Sequence, residues 1–137
     1  MAFSGGCACG AVRYTIEAEP IRGFQCQCRD CQRDTGGGHS SIFVFARDAF
    51  KVAGEVRETT RTADSGATKH KGFCPNCGSP IYNKPEDKVE FIGIYVGTLD
   101  DASSFQPSVV LFCSQGYAWD HLDPSIRKLP KWHPAAK

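Results

Sequence analysis

No apolar run in this chain approaches the ~18 residues that a membrane-spanning helix needs. Charge of one sign is missing as well: 16 basic residues face 15 acidic ones, for a net charge of +1. That balance offers no electrostatic footprint for nucleic acid or for an anionic membrane. The N-terminal residues hold neither a basic n-region nor an apolar h-region, which predicts a reducing, cytoplasmic location. Long helical periodicity, low-complexity tracts and linkers are all absent. A length of 137 residues suits one domain. The hydrophobic fraction of 41 % allows a core, yet a domain of this size gains from an added staple.

Cysteine is what the chain has in excess. There are eight, and seven fall in three clusters: Cys7 and Cys9; Cys26, Cys28 and Cys31; Cys74 and Cys77. Cys113 stands alone. Secreted disulfide frameworks spread their cysteines along the chain. Clustered thiols in a reducing compartment more often hold metal.

The rest of the pattern is extended. Residues 12–16 alternate apolar and polar, as a half-buried strand does. Residues 26–35 read as a compact knuckle ending in one helical turn, and Gly36, Gly37 and Gly38 then break it. Residues 41–45 are apolar on both faces and predict a buried strand; 50–52 and 56–62 predict two more around Gly54. Residues 68–73 lead into the Cys74 knuckle. Short strands are expected at 81–83 and 108–113, and the longest at 89–96. Residues 99–103 suggest a turn or short helix. The reading is therefore mainly β, with one domain over 1–125 and a basic, irregular tail over 126–137.

Cys74-x-x-Cys77-Gly78 is a strong metal signal. Two intervening residues let both sulfurs reach one ion, and the glycine lets the backbone turn back. A closed tetrahedral zinc site needs two more ligands, which Cys7-x-Cys9 naturally supplies. A redox-active Cys74–Cys77 pair is the weaker alternative, because the βαβ context is missing. In Cys26-x-Cys28-x-x-Cys31 one segment offers three ligands to one ion. Three protein ligands leave a fourth position open, the arrangement of a catalytic zinc. Cys113 could close that site, although a lone cysteine in an apolar run is usually a small hydrophobe. Metal-free thiols that oxidise readily are a further alternative. Three thiolates leave excess negative charge, which Arg29 and Arg33 could offset; ordinary solvated arginine is an equal reading. His39 could serve as an acid or base, but more often a single loop histidine has no special role. Tyr117 and Trp119 could line a pocket, with core packing the commoner role. Asp100 and Asp101 read as turn or cap residues.

Taken together, Gly6-Cys7-x-Cys9-Gly10-x-Val12-x-Tyr14, Cys26-x-Cys28-x-x-Cys31 and Phe73-Cys74-x-x-Cys77-Gly78 resemble the glutathione-dependent formaldehyde-activating enzyme family. Gly97-Thr98-Leu99-Asp100-Asp101, Pro107 and Trp119 are similar to its later pattern. The resemblance spans roughly residues 3–122. It implies a zinc-stapled β-tent of small antiparallel sheets. It also implies that Cys7, Cys9, Cys74 and Cys77 hold a structural zinc, and that Cys26, Cys28 and Cys31 hold a catalytic or labile one. The family's named reaction adds the glutathione thiol to formaldehyde, giving S-hydroxymethylglutathione. Two positions depart from the family: Gln27 and Val110 stand where it often has histidine. The family also includes centromere protein V, so membership fixes fold and metal better than reaction.

Three functions follow as expectations. The first is a carbon–sulfur lyase joining glutathione, or another thiol, to a small aldehyde. The second is a non-catalytic binding module for a protein or a thiol-containing ligand. The third is a metal or redox sensor using the three-cysteine cluster.

Overall fold

The computed structural model describes residues 2–132. Within them the chain forms two sheets. The smaller is a three-stranded sheet of β1 (Phe3–Gly6), β2 (Arg13–Ile16) and β5 (Phe50–Ala53), in the order β1-β2-β5. The larger contains β3 (Arg22–Cys26), β4 (Ser40–Ala46), β6 (Arg57–Thr62), β7 (Thr68–Phe73), β8 (Pro80–Pro85), β9 (Phe91–Tyr95), β10 (Val109–Leu111) and β11 (Arg127–Lys128). Its order is β11-β10-β3-β4-β9-β8-β7-β6. The helix α1 (Arg29–Thr35) links β3 to β4. The mainly β expectation stands, with one qualification: β10 pairs in parallel with both β3 and β11, so the larger sheet is mixed.

Alternation decides which side chains fill the space between the sheets. Tyr14 and Ile16 of β2 point in, while Arg13 and Thr15 point out. Phe43 and Phe45 of β4, Ile81 of β8, and Ile92 and Ile94 of β9 meet them from the larger sheet. Phe50 bridges the layers, with its ring centroid 5.3 Å from that of Tyr14 and 5.5 Å from that of Tyr82. The other face of β4 is apolar too. Ile42 and Val44 form a second cluster with Tyr95, flanked by Phe24 and Phe91. The expected two-faced strand at 41–45 is therefore present.

Other expectations shift. The strand expected at 89–96 runs only from Phe91 to Tyr95 and is not the longest; β4 is longer. Arg47 explains the late start. Its side chain donates to the carbonyls of Pro85 and Phe91, and its own amide donates to Glu90 O, which holds 86–90 as a turn. At the other end, Val96–Thr98 tightens into a 3₁₀ turn. The strand expected at 108–113 stops at Leu111, because Phe112 takes a left-handed conformation at φ 56°. The knuckle after Cys26 carries a full seven-residue helix rather than one turn. Cys28 Sγ accepts from the Cys31 amide at its start, and Gly36 closes it at φ 75°. The tail is not wholly irregular. Arg127–Lys128 adds an edge strand, and the backbone of Leu129 to Lys131 binds Val110, Phe112, Cys113 and Ser114. Residues 133–137 of that tail lie outside the described residues. No helix among the described residues is long and apolar enough to cross a membrane.

Candidate metal centres

The first cysteine cluster sits where the two sheets meet. Cys7 and Cys9 lie in the turn after β1, and Cys74 and Cys77 lie in the turn between β7 and β8. The four sulfurs all fall within 4.8 Å of one another. Cys7 Sγ is 3.6 Å from Cys9 Sγ, and Cys9 Sγ is 3.8 Å from Cys74 Sγ. Sulfurs on a tetrahedral zinc, with Zn–S about 2.3 Å, stand about 3.8 Å apart. A disulfide would need about 2.05 Å. The donor set and its spacing therefore fit a four-thiolate ion.

Each turn is shaped for its sulfurs. Gly10 and Gly78 adopt φ 83° and 79° and return their amides to Cys7 O and Cys74 O. Two N–H groups point at sulfur: the Val12 backbone amide donates to Cys7 Sγ at 3.2 Å, and the Asn76 side-chain Nδ2 to Cys9 Sγ at 3.2 Å. Such bonds favour thiolate. The Val12 amide lowers the Cys7 thiol. Bonds from the Ser79 hydroxyl and backbone hold Cys77 at about 5.

The second cluster is built from one loop. Cys26 ends β3, Cys28 caps α1, and Cys31 lies in its first turn. Their sulfurs also lie within 4.8 Å of one another. Among the described residues no histidine, cysteine, aspartate or glutamate joins them at that spacing, Cys113 included. Cys113 is half-buried and opens a 3₁₀ turn beside the tail. All three cysteines of the trio line a cleft of about 740 Å³. The cleft faces the side of the larger sheet turned away from the core, and the β6–β7 hairpin and the tail wall it in.

The three thiols share charge unequally. Hydrogen bonds from Cys26 and Cys31 hold Cys28 at about 2, and the Lys69 ammonium assists. Cys26 is pushed far up by its bonds to Cys28 and Cys31 and by burial. At Cys31 the Cys26 bond pulls down, but the Cys28 bond and burial outweigh it and raise the thiol to about 11. A divalent cation supplies the charge that lets all three ionise.

Several side chains that support the trio give no signal in sequence. Gln32 Nε2 donates to Gln27 O at 2.9 Å and to Gln115 O at 3.1 Å. Gln27 Nε2 donates to Asp120, and His39 Nδ1 stands 2.9 Å from the same carboxylate. His39 thus ties the trio loop to the chain beyond Cys113 and does not line the cleft. Asp34 of α1 holds Lys71 at 2.5 Å and Arg61 at 2.8 Å, which fixes the helix to β6 and β7. The Ser40 hydroxyl, opposite Cys26 in the β3–β4 register, is buried beside Cys31 and pulls that thiol down. Of the two expected cations, Arg33 is exposed outside the cleft, and Arg29 binds Gln32 and lies over the Tyr117 ring. Lys69, from a distant strand, adds positive charge at Cys28.

Three smaller readings resolve here. Tyr117 and Trp119 neither pack in the core nor line the cleft; they stack 5.6 Å apart and are exposed, because their segment runs over the outside of the trio loop. Asp101 accepts from Ser103 N, as a turn residue does. Asp100 instead takes a two-pronged bond from Arg13 and another from Ser4, which fastens the β1–β2 arm.

A sequence profile described as "Glutathione-dependent formaldehyde-activating enzyme" matches residues 2–115. A protein of Halomonas elongata, named as a candidate glutathione-dependent formaldehyde-activating enzyme, is 29 % identical over 87 residues. That match covers 60 % of this chain and 55 % of the relative, so the chain spans about half the relative's length. A crystal structure of a Rhodobacter sphaeroides protein superposes with a TM-score of 0.55 at 22 % identity, covering 76 % of this chain and 91 % of that one. At that identity the likeness speaks for the fold. Profile, fold and the order of the seven clustered cysteines agree: the chain belongs to the glutathione-dependent formaldehyde-activating enzyme family.

Proposed function

We propose that this chain is a zinc-dependent carbon–sulfur lyase that joins glutathione, or another thiol, to formaldehyde or a related small aldehyde. The observation that carries the reading is the trio: three thiols from one loop, without a fourth protein ligand among the described residues, open on a ligand-sized cleft. Cys26, Cys28 and Cys31 would hold the reactive zinc, and Cys7, Cys9, Cys74 and Cys77 the structural one. The zinc in the trio would supply Lewis acidity and positive charge for a thiolate or a carbonyl oxygen. A reducing, cytoplasmic location belongs to the proposal, since the chemistry needs free thiols.

The chain's own residues do the rest. Lys69 adds positive charge beside Cys28. The buried Ser40 hydroxyl sits beside Cys31 and favours its thiolate. Phe24, Ile42 and Val44 line the cleft with apolar surface and exclude water from the reacting groups. The Gln27–Asp120–His39 and Gln32–Gln115 bonds tie the loop to the segment after Cys113. In the net addition one carbon–sulfur bond forms and the thiol proton passes to the carbonyl oxygen.

The test is NMR exchange between ¹³C-formaldehyde and glutathione with zinc-loaded protein. Exchange should exceed the spontaneous rate, and Cys28→Ser should abolish the excess. No acceleration with zinc present would reject the reaction. It would favour the second reading, a binding module, for which the exposed Tyr117–Trp119 stack speaks.

A further inference from the structure

The cleft face of the larger sheet can be followed row by row away from the trio. Its first row is Leu111–Cys26–Ser40, its second Phe24–Ile42, and its third Arg22–Val44–Gly93. Directly opposed residues share a face of the sheet, and all of these line the cleft. The next residue on that face past the trio is therefore apolar on both strands: Phe24 on β3 and Ile42 on β4. Ile42 and Val44 are buried, while Phe24, Leu111 and Phe91 stay partly open to the cleft. Gly93 puts no side chain on the floor beside Val44, where an added Cβ would meet Ile42 Cγ2 at 3.0 Å. Arg22 is the one charged residue in these rows, and its guanidinium lies over the Phe91 ring, 5.7 Å from the centroid.

An apolar strip thus leads away from the sulfurs. From Ser40, at the trio, to Val44 is four residues of β4, or about 13 Å. Apolar surface held open in a cleft gains from being covered by another apolar group. Neither glutathione nor formaldehyde covers it. The ammonium and carboxylates of glutathione would lose water there without finding a partner. Formaldehyde carries only hydrogens on its carbonyl carbon and leaves the strip bare.

We infer that the aldehyde this chain uses bears an apolar substituent, such as an alkyl chain, which lies along the Phe24–Ile42 strip while the carbonyl carbon stays at the trio. The inference rests on the thiol–aldehyde reading and extends its aldehyde beyond formaldehyde. The chemistry is unchanged by the substituent. The thiol sulfur bonds to the carbonyl carbon, the C=O π bond opens, and the thiol proton passes to that oxygen. A hemithioacetal forms, with no oxidant or reductant. Phe24 and Ile42 set specificity, because they meet the substituent and not the reacting atoms.

The experiment separates the strip from the reaction. With 2-mercaptoethanol as the fixed thiol and the zinc-loaded full-length chain, NMR exchange is measured for formaldehyde, propanal and hexanal, each against its own spontaneous rate. Acceleration should rise along the series by about fourfold for each methylene that reaches the strip. Phe24→Gln should lower the hexanal-to-formaldehyde ratio about tenfold, and Phe91→Gln, farther along, by less. Thermal melts should confirm that each variant is folded. Hexanamide, whose carbonyl thiols do not add to, gives a readout without turnover. It should shift the Ile42 and Val44 methyl signals in the parent and less in Phe24→Gln, and acetamide should leave them in place. Acceleration that is flat or falls with chain length, or hexanamide that moves neither signal, overturns the inference. Acceleration that follows the thiol instead, with 1-butanethiol ahead of 2-mercaptoethanol on formaldehyde, overturns it too. If hexanamide binds as stated but no aldehyde is accelerated, the strip stands and the lyase reading falls. If formaldehyde alone is accelerated, the lyase stands and this inference falls.

Discussion

The two cysteine clusters use the same chemistry to opposite ends. The four-sulfur site joins turns from distant parts of the chain and ties the small sheet to the large one. The three-sulfur site lies within one loop and cross-links nothing remote; it faces a cleft instead. Closure of long loops is where a clip stabilises most, and an open ligand position is where a metal reacts. Under the proposed function, ligand count and chain separation, more than ligand identity, would divide staple from reaction site.

The contrast breaks most easily at Cys74. Cys74→Ser should cost at least ~4 kcal/mol by urea melt, since a structural zinc contributes on the order of 10 kcal/mol of binding free energy. Cys28→Ser should stay within ~1 kcal/mol of the parent while losing the exchange activity. Equal destabilisation of the two would erase the division. Metal release to a chromophoric chelator sharpens it further: the parent should show a fast and a slow phase, and Cys28→Ser should remove the fast one alone.

Each cluster is also fastened by an ion pair, and these should rank in the same sense as their burial. Asp34→Ala frees the nearly buried Lys71 and the half-exposed Arg61 from the trio's helix, and should cost ~2 kcal/mol. Asp100→Asn loosens the arm that carries Cys7 and Cys9, and should give the smallest change, because the pair with Arg13 is about half exposed. Its pH dependence has a definite sign. The Arg13 and Ser4 bonds hold the Asp100 carboxyl below the usual range. Its contribution is thus in place at neutral pH and lost as pH falls through the depressed value. The gap between parent and Asp100→Asn melts should close in acid.

What was legible in the sequence was local. Cysteine spacing marked both clusters, because the ligands of each half-site lie within a few residues. The two-faced run at 41–45 announced a strand buried on both sides. Lys69, Ser40 and Asp120 were not legible. Each owes its role to strand register or to a long-range contact, and none belongs to a motif. The tail strand at Arg127–Lys128 was missed for a related reason: backbone bonding to β10 holds it, without an apolar pattern of its own.

The placement of the clusters along the chain also sets an order of assembly. During synthesis Cys26, Cys28 and Cys31 leave the ribosome together, so this loop can capture an ion before most of the sheet exists. Cys7 and Cys9 emerge earlier but must wait for Cys74 and Cys77. An ion held by all four would close its site only after residue 77 has emerged and would join the small sheet to the β7–β8 turn, whereas an ion in the trio would join nothing beyond its own loop.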